Sequence, residues 1–417
     1  MGPYWPVDMT DVTVKPTVLH LASVFPANSN RLALQCGYAR DSWRIELLNL
    51  SARREDLQYA RGNDVNTKLL PHWPRYRQGD AYFTRRFRSL IRRILNAVTL
   101  YVFLFRSRVD LMHAHENSSL WALAFWVLVL RRRAVWDPHD YFHEPRVRQR
   151  GFTSLTMQMF LERSVVRRGT PIMAVSDGMR KQYANLYPDA RVDVLRNYSS
   201  DRNNAIEDPG SVNEVARRLV ESRAQFGKGM LRLIYPGLIK PERFSLDLIR
   251  AIGTMPGISL DIYGEDRSTS GKNQSALEKT LSENRIRNVH LRGRYTSDTI
   301  VSILGQYHFV MLPYEVTQPN IDFCLPNKFY QCIEAGLPLI TSNMREMGDI
   351  IAKYGLGYIF PSGDNSACTE IIANCTTHGD EYFKLVHNVL SYQSNELDYR
   401  QQQAQFLGAY SAALERG

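Results

Sequence analysis

The chain has 417 residues, which is enough for two domains, since a single hydrophobic core stops growing at roughly 250 to 300 residues. With 44% hydrophobic and 23% charged residues, its composition is that of a soluble globular protein. The net charge of +10 favours an anionic partner, which could be a nucleotide, a membrane surface or nucleic acid.

The cysteines and the apolar segments exclude several classes of protein. The five cysteines are odd in number and form no CxxC pair, which argues against a disulfide framework and a zinc site. Residues 1–10 lack the basic and apolar regions of a signal peptide. The longest apolar run, Leu120 to Leu130, has 11 residues, whereas a membrane span needs about 20. We therefore expect a cytoplasmic location, with any membrane contact peripheral and on the inner face.

The first half of the chain alternates strands and helices. Thr17 to Val24 is a predicted buried strand, followed by a loop to Asn30, a helix from Arg31, and a strand from Trp43 to Leu50. This pattern opens a doubly wound sheet, whose ligands lie beyond the carboxyl ends of its strands. No GxGxxG follows the first strand, so a dinucleotide site is not expected, and the loop is interpreted as a wall of a cleft.

Residues 72–108 are rich in arginine and aromatic residues, with Asp80 as the single acidic residue. The arginines alternate with apolar residues at helical spacing: Arg85, Arg86, Arg88, Arg92 and Arg93 with Phe87, Leu90, Ile91 and Ile94. Such a cationic amphipathic helix can lie in an anionic lipid interface, or it can be an ordinary surface helix with one face in the core. A nucleic-acid groove is less favoured, because no nucleic-acid motif accompanies the charge.

A second cluster of charge lies at the end of the predicted strand that starts at Ala134. The ionisable residues there are Asp137, His139, Asp140, His143 and Glu144. An Asp or His at this edge of a sheet can accept a proton from an acceptor hydroxyl. A hydrogen-bonded structural cluster is the alternative. A metal site is less favoured, because no HExxH helix is predicted and Pro138 interrupts the spacing.

The second half again alternates strands and helices, with predicted strands at 231–235, 258–263, 289–291 and 309–313. Polar residues gather at the strand ends: Gly237, Lys240 and Arg243, then Gly264 and Glu265, then Arg292 to Tyr295, then Tyr314 and Glu315. We place an N-terminal domain at 1–198, a linker region with a helix at 199–229, a C-terminal domain at 230–380, and C-terminal helices at 381–417 that can cross back to the N-terminal domain.

The stretch from Cys324 to Ser342 predicts a short helix, Lys328 to Ala335, whose amino end faces the mouth of the second sheet. A helix amino end carries partial positive charge, and a lysine in the first turn is explained if an anion binds there. The alternative is that Lys328 reaches solvent. Because Arg243 lies at another strand end of the same domain, two cations can converge on a diphosphate without a Walker motif.

Several motifs resemble those of bacterial GT-B glycosyltransferases of family 4. YPGLIKPERF resembles the YxGxxxxxRG turn, and LPNKFYQCIEAGLPLI resembles the LPNKxxEYxxAGxPVI segment. VWDPHDYFHE, AVSDGM and VLRNY resemble three N-terminal segments of that family, so the likeness runs from about residue 17 to 360. It implies two doubly wound Rossmann-like α/β domains facing a central cleft, with a nucleotide sugar bound by the C-terminal domain.

The resemblance also implies roles for individual residues. The implied donor-binding residues are Gly237, Lys240, Arg243, Tyr263, Glu265, Arg294, Tyr295, Asn327, Lys328 and Gln331. Arg243 and Lys328 would hold the pyrophosphate. Asp140 would be the general base and His139 would orient the donor sugar or the acceptor. No metal and no cofactor is expected, and a UDP-sugar is the favoured donor.

The chain departs from the family pattern at two positions near the donor sugar. The paired glutamates of the family fall on Phe323 and Gln331. Lys328 with Gln331 instead has a local likeness to the KxxQ of the xanthan glucuronosyltransferase, whose base aspartate falls on Asp140. A neutral Gln331 would tolerate an acidic sugar, and this likeness favours an inverting displacement.

The leading hypothesis is therefore metal-independent transfer of a sugar to a hydroxyl of a lipid-linked or cell-surface glycan, as in polysaccharide biosynthesis. The alternatives are a GT-B sugar-nucleotide epimerase, a catalytically silent sugar-nucleotide-binding subunit, which Phe323 and Gln331 favour, and a DNA-modifying glycosyltransferase, which the positive charge favours. Nucleic acid is the least favoured partner.

Overall fold

The structure, a computed structural model, describes residues 15–23, 29–49, 65–69, 82–141, 143, 155–198, 211–227, 229–266, 268, 271–296, 299–317, 319–323, 325–375 and 379–415. The predicted cleft wall at 25–28, the basic stretch before residue 82, Glu144 and Cys324 lie outside these residues. The arginine side chains of 85–93 are also outside the description, although the helix that carries them is inside it.

The N-terminal domain is built on a parallel sheet of seven strands in the order β3-β2-β1-β4-β5-β6-β7. The strands are β1 (Thr17–Ala22), β2 (Arg44–Asn49), β3 (Asn66–Leu69), β4 (Leu111–His115), β5 (Ala134–Asp137), β6 (Ile172–Ala174) and β7 (Val192–Val194). The helices are α1 (Asn30–Ala39), α2 (Tyr82–Arg106), α3 (Leu120–Ala124), α4 (Leu155–Val166) and α5 (Asp177–Leu186).

The C-terminal domain has a parallel sheet of six strands in the order β10-β9-β8-β11-β12-β13. The strands are β8 (Leu231–Pro236), β9 (Ile258–Tyr263), β10 (Val289–Gly293), β11 (Phe309–Leu312), β12 (Leu339–Ser342) and β13 (Gly357–Phe360). The helices are α6 (Val212–Gly227), α7 (Leu246–Gly253), α8 (Lys272–Glu283), α9 (Ile300–Leu304), α10 (Pro319–Phe323), α11 (Asn327–Glu334), α12 (Arg345–Tyr354), α13 (Asn365–Asn374), α14 (Gly379–Glu396) and α15 (Tyr399–Glu415).

These topologies confirm the predicted pair of doubly wound domains. The central strands are buried along almost their whole length, as expected when helices cover both faces of a parallel sheet. The strand order reverses between β1 and β4 in the first sheet and between β8 and β11 in the second. Ligands of open α/β sheets bind beyond the carboxyl ends of the strands at these switch points.

Local sequence explains several element boundaries. Ser176 begins α5, because its hydroxyl accepts a hydrogen bond from the Met179 amide at 3.1 Å. The apolar run from Leu120 to Leu130 is helical in two parts: α3 ends at Ala124 and continues as a wider π-helical turn closed by the bond from the Leu130 amide to the Phe125 carbonyl, 3.1 Å. The four-residue edge strand β3 was not predicted, since NTKL has no apolar alternation.

Three helices, α6, α14 and α15, connect distant parts of the chain. The helix α6 of the predicted linker packs on the C-terminal domain, where the fully buried Arg223 donates hydrogen bonds to the carbonyls of Ala335 (2.7 Å) and Gly336 (2.9 Å). The helix α14 also packs there, against α6. The last helix, α15, returns to the N-terminal domain, and its Gln402 donates to the hydroxyl of Tyr38 at 3.1 Å.

Candidate functional site

Two residues predicted from separate motifs meet at the switch point of the second sheet. Gly237 follows β8, and a Cβ atom at this position would lie 2.9 Å from Cε of Lys328 and 2.8 Å from the hydroxyl of Tyr235. Any larger residue would therefore displace the lysine side chain, which lies against the bare backbone of this turn. The structure brings Gly237 and Lys328 into direct contact.

Lys328 lies in the first turn of α11, which begins at Asn327 directly after Pro326. The backbone amides of this turn and the lysine ammonium together make the amino end of α11 attractive to an anion. At the other end of the helix, the guanidinium of Arg223 caps the last carbonyls, a favourable position for a cation. Arg223 thus helps to hold the helix that presents Lys328.

Arg243 lies on the loop after β8. Its guanidinium carbon is 4.2 Å from the centre of the buried Tyr314 ring, which follows β11. The two loops are also joined by a hydrogen bond from the amide of Glu315 to the carbonyl of Glu242, 3.0 Å. The stacked ring and this bond hold Arg243 at the switch point between β8 and β11.

The ends of β8, β9 and β10 pack backbone against backbone. A Cβ atom at Gly264 would lie 1.7 Å from the carbonyl oxygen of Gly237, and the Gly264 amide donates to the Gly293 carbonyl at 2.7 Å. Next to Gly264, the backbone carbonyl of Glu265 accepts a hydrogen bond from the Ile239 amide at 3.0 Å. The carboxylate of Glu265 forms an ion pair with Arg294. This places Glu265 and Arg294, two of the predicted donor-binding residues, beside the Gly237 turn.

The remaining predicted donor residues differ in their surroundings. The ring of Tyr263 lies 6.5 Å from that of Tyr307, and Tyr295 packs against the core. Gln331 is only 4% exposed. Lys240 is exposed and lines a pocket of about 390 Å³ with Phe244 and other residues of the α7 and α8 region, a pocket whose lining does not include Lys328.

The end of β5 carries a buried ion pair that the sequence did not predict. Asp137 is fully buried and accepts hydrogen bonds from Nε (2.7 Å) and Nη2 (3.0 Å) of Arg31 and from Gln35 (2.6 Å). Burial opposes its ionisation, but the charges of Arg31 and His139 and their hydrogen bonds hold the pKa of Asp137 well below its usual value. His139 adopts a left-handed backbone conformation (φ 60°), with Nε2 3.5 Å from the Asp137 carboxylate.

Three fully buried histidines, His20, His113 and His115, lie directly behind His139. Burial lowers the pKa of His20 to about 3 and those of His113 and His115 well below their usual value, so all three are neutral near pH 7. The sequence indicates that His113 and His115 lie together, because they are alternate residues of β4 and alternate residues of a strand face the same side of the sheet. Their meeting with His20 depends on the pairing of β1 with β4.

The predicted base, Asp140, is exposed and bonded across the cleft. Its carboxylate accepts from the side-chain amide of Asn320 at 3.0 Å, while the Asn320 carbonyl oxygen accepts from the Tyr141 amide at 2.8 Å. Asn320 lies in α10 of the other domain. A second contact crosses the cleft nearby, where the Glu346 carboxylate accepts from the Gly178 amide at 2.8 Å, at the amino end of α5. The structure thus places Asp140 and His139 on the wall that faces the predicted donor-binding residues.

His143 has a different role from its neighbours in the sequence. It forms a buried contact with Glu162, which also accepts from the hydroxyl of Tyr187 at 2.9 Å. This pair ties the segment after β5 to α4 and α5.

Two groups of side chains among the described residues have the composition of metal ligands: His20 with His113 and His115, and His115 with Asp137 and His139. In the second group the nearest atoms are 3.3, 3.5 and 3.8 Å apart, close to the spacing around a tetrahedral ion with bonds of roughly 2.0 to 2.2 Å. However, Arg31 already binds the same carboxylate, and its charge opposes a dication there.

Comparison with known proteins places this geometry in context. The family profile described as "Glycosyl transferase 4-like domain" matches residues 30–198. In overall structure the chain is similar to HepE of Anabaena in complex with UDP and glucose, with a TM-score of 0.70 and 14% identity over 95% of this chain and 99% of that one. The architecture is GT-B.

Other solved GT-B structures are similar over nearly the whole chain. Sucrose-phosphate synthase from Thermosynechococcus elongatus has a TM-score of 0.64 at 12% identity, covering 95% of this chain and 98% of that one. WaaG, a glycosyltransferase involved in lipopolysaccharide biosynthesis, has a TM-score of 0.60 at 14% identity, covering 94% and 98%. No curated protein matches significantly by sequence. The predicted fold is confirmed, and residues 30–198 are similar to a glycosyl transferase 4-like domain.

Proposed function

We propose that this GT-B protein transfers a sugar from a nucleotide diphosphate sugar to a hydroxyl of a glycan acceptor. The observation that carries the proposal is the contact of Lys328, in the first turn of α11, with the Gly237 turn at the switch point of the C-terminal sheet. Arg243 is held at the same switch point by Tyr314. The structures of HepE with UDP and with UDP-glucose support UDP as the nucleotide.

In this proposal the pyrophosphate lies at the amino end of α11. Charge develops on the leaving diphosphate as the bond to the sugar breaks, and preorganised cations and amides stabilise that charge without having to reorganise. Lys328 and Arg243 supply the cations, and the backbone of Asn327 and its neighbours supplies the amides. Glu265, Arg294 and Tyr295 lie beside the nucleoside.

The acceptor lies against the N-terminal wall of the cleft. Asp140 takes the proton from the attacking hydroxyl in an inverting displacement, and its bond to Asn320 must open or be shared when the acceptor binds. His139 contacts a sugar hydroxyl. The anomeric configuration of the product, read by NMR, tests this part: a product that retains the donor configuration would exclude Asp140 as the base of a single displacement.

The donor site is tested first by a thermal-shift panel of nucleotide sugars, because a ligand that binds only the folded protein raises the melting temperature. The ligand found in this way is then used in a transfer assay with Lys328→Ala and Arg243→Ala. Each variant should lose about 1 to 3 kcal/mol of transition-state stabilisation in kcat/KM, roughly 5- to 150-fold. Lys279→Ala, which removes an exposed lysine of α8 in the same domain, is the control. Turnover at the wild-type rate in both site variants would refute the assignment.

We further propose that the acceptor is lipid-linked and that α2 contacts an anionic membrane on the cytoplasmic face. The described part of α2 exposes an apolar row at helical spacing: Ile91, Ile94, Val98, Val102 and Phe105, between 40% and 67% exposed. Beyond its carboxyl end, a polar pocket of about 610 Å³ is lined by five arginines: Arg108, Arg131, Arg132, Arg133 and Arg168. Apolar residues beside cations are what an anionic lipid surface attracts. None of the described helices is both long and apolar enough to span a bilayer.

Sedimentation with lipid vesicles tests this surface. The protein should bind vesicles containing phosphatidylglycerol and bind vesicles of phosphatidylcholine weakly, with added salt reducing the difference. Val98→Glu should reduce binding, because it places a negative charge in the apolar row. Met230→Glu, at a comparably exposed apolar residue of the C-terminal domain, is the matched control. Equal binding by Val98→Glu and by the wild type would contradict the proposal.

A further inference from the structure

A continuous series of hydrogen bonds runs from the cleft into the interior of the N-terminal domain. The histidine network, as we name it, comprises His139, His115, His20, Tyr410 and His113 in this order. Its four successive contacts are 3.3, 2.9, 3.3 and 2.7 Å long. Tyr410 belongs to α15, so the network is closed only when the last helix of the chain returns to the N-terminal domain.

Within this network only His139 reaches solvent, with a side chain 20% exposed, whereas His20, His113, His115 and Tyr410 are fully buried. The network begins and ends at the same carboxylate. His139 Nε2 lies 3.5 Å from Oδ2 of Asp137 at one end, and His113 Nε2 lies 3.9 Å from the same oxygen at the other. Arg31 binds that carboxylate in a bidentate manner, which keeps it ionised.

The tautomers of neutral imidazoles in such a network depend on one another. Each carries one N–H group and one bare nitrogen, so a histidine bonded at both nitrogens must donate at one and accept at the other. Tyr410 likewise donates its single proton to one neighbour and accepts from the other. The network therefore has two states: either all four histidines are protonated at Nε2, or all four are protonated at Nδ1.

The Asp137 carboxylate decides between these two states. When all four are protonated at Nε2, the N–H groups of His139 and His113 lie 3.5 and 3.9 Å from Oδ2 of Asp137, and the bare Nδ1 of His115, 3.8 Å from the same oxygen, accepts from His139. When all four are protonated at Nδ1, only the N–H group of His115 lies near that oxygen, and the bare Nε2 atoms of His139 and His113 face the buried negative charge. A buried anion attracts N–H groups and repels lone pairs, so the first state has the lower energy.

We propose that the histidine network holds neutral His139 as the Nε2–H tautomer, so that its Nδ1 atom accepts a hydrogen bond from a sugar hydroxyl in the cleft. In this state His139 binds a hydroxyl in one orientation only. Tyr410, whose hydroxyl links the tautomer of His20 to that of His113, is a positioning residue for His139. The assignment of the tautomer does not depend on the proposed function, whereas the role in binding a sugar hydroxyl does.

The tautomers are measured directly by long-range ¹H–¹⁵N correlation spectra of protein labelled with ¹⁵N-histidine at pH 7.5. The two ring nitrogens of a neutral histidine have well-separated shifts, so each tautomer is identified. We expect all four histidines of the network as Nε2–H. Assignment uses single substitutions such as His113→Asn. An Nδ1–H tautomer or a doubly protonated ring at His139 in the wild type would overturn the proposal whatever the activity of the protein.

Tyr410→Phe tests the coupling, because phenylalanine keeps the ring and removes only the shared hydroxyl. His20 and His113 then each lose a partner, and the Nδ1–H fraction of His139 should rise, because only its own contact with Asp137 then favours the Nε2–H tautomer. In the transfer assay we expect kcat to fall roughly five- to tenfold, the effect of one lost hydrogen bond, with KM for the nucleotide sugar unchanged. Tyr38→Phe is the matched control, because Tyr38 is a buried tyrosine whose hydroxyl accepts from Gln402 of the same helix, outside the network.

The remaining outcomes separate this proposal from its alternatives. If transfer is observed but Tyr410→Phe changes neither the tautomers nor kcat, the network does not position His139. If no transfer is observed, the proposed function fails, while the spectra still decide the tautomer. Elemental analysis of the purified protein adds a third result: one equivalent of zinc that shifts the His115 and His139 signals would overturn the proposal, because metal ligation would replace the bond between them.

Discussion

Acid should destabilise the N-terminal domain steeply, because His20, His113 and His115 are buried in the neutral form. Their pKa values in the folded protein lie below the value of about 6.5 that histidine has in an unfolded chain, with His20 at about 3. Below pH 6.5 the unfolded chain therefore binds protons that the folded domain does not. The stability is complete above pH 6.5 and is lost as the pH falls towards the folded pKa values.

The size of the loss in the free energy of unfolding follows from the number of protons that only the unfolded chain binds. Each histidine contributes a slope of about 1.4 kcal/mol per pH unit well below pH 6.5, so the three together should cost about 3 to 4 kcal/mol between pH 6 and pH 5. Compared with a typical domain stability of about 5 to 15 kcal/mol, this is a large loss. The lowered pKa of Asp137 adds a further loss only below its unfolded value of about 3.9.

Tryptophan fluorescence reports this domain selectively, because all six tryptophans lie at or before Trp136. Urea unfolding followed by this signal at pH 7, 6 and 5 gives the slope. His113→Asn should reduce the slope by about one third, since one of the three protons is removed. His290→Asn, in β10 of the other sheet, leaves the three buried histidines in place and serves as the control. An identical slope in His113→Asn and in the wild type would refute the reasoning.

Four further substitutions test the packing that positions the site, each measured by urea unfolding. Arg31→Met should destabilise the N-terminal domain by about 3 to 5 kcal/mol, because it leaves the Asp137 carboxylate buried without its cation, and a loss under 1 kcal/mol would contradict the ion pair. Arg223→Leu should cost about 3 kcal/mol or more by leaving the carbonyls at the end of α11 without a donor. Gly264→Ala should cost about 2 kcal/mol or more and weaken nucleotide binding, since its Cβ atom would lie 1.7 Å from the Gly237 carbonyl oxygen. Gly37→Ala, on the open face of α1 with no atom within 4 Å of the added Cβ, should instead stabilise the protein by about 0.5 to 1 kcal/mol.

The sequence by itself determined the two doubly wound domains and placed Lys328 and Arg243 beyond strand ends of the second sheet. Runs of apolar residues followed by polar strand ends are local signals, and parallel strands place those ends at one edge of the sheet. Gly237, Arg243 and Lys328 could be predicted for this reason, although nothing local indicated that Lys328 lies against the backbone of Gly237. The helix start at Ser176 is also a local signal, because capping depends on neighbours only a few residues away.

Only the tertiary structure decided what surrounds the end of β5. The carboxylate of Asp137 is bound by Arg31 of α1, and Asp140 is bound by Asn320 of the opposite domain. His20 and Tyr410 are 390 positions apart and meet because α15 crosses back to the first sheet. Strand order and the return of a terminal helix are set by packing over the whole molecule, and the periodicity of a segment carries no information about which distant segment will cover it.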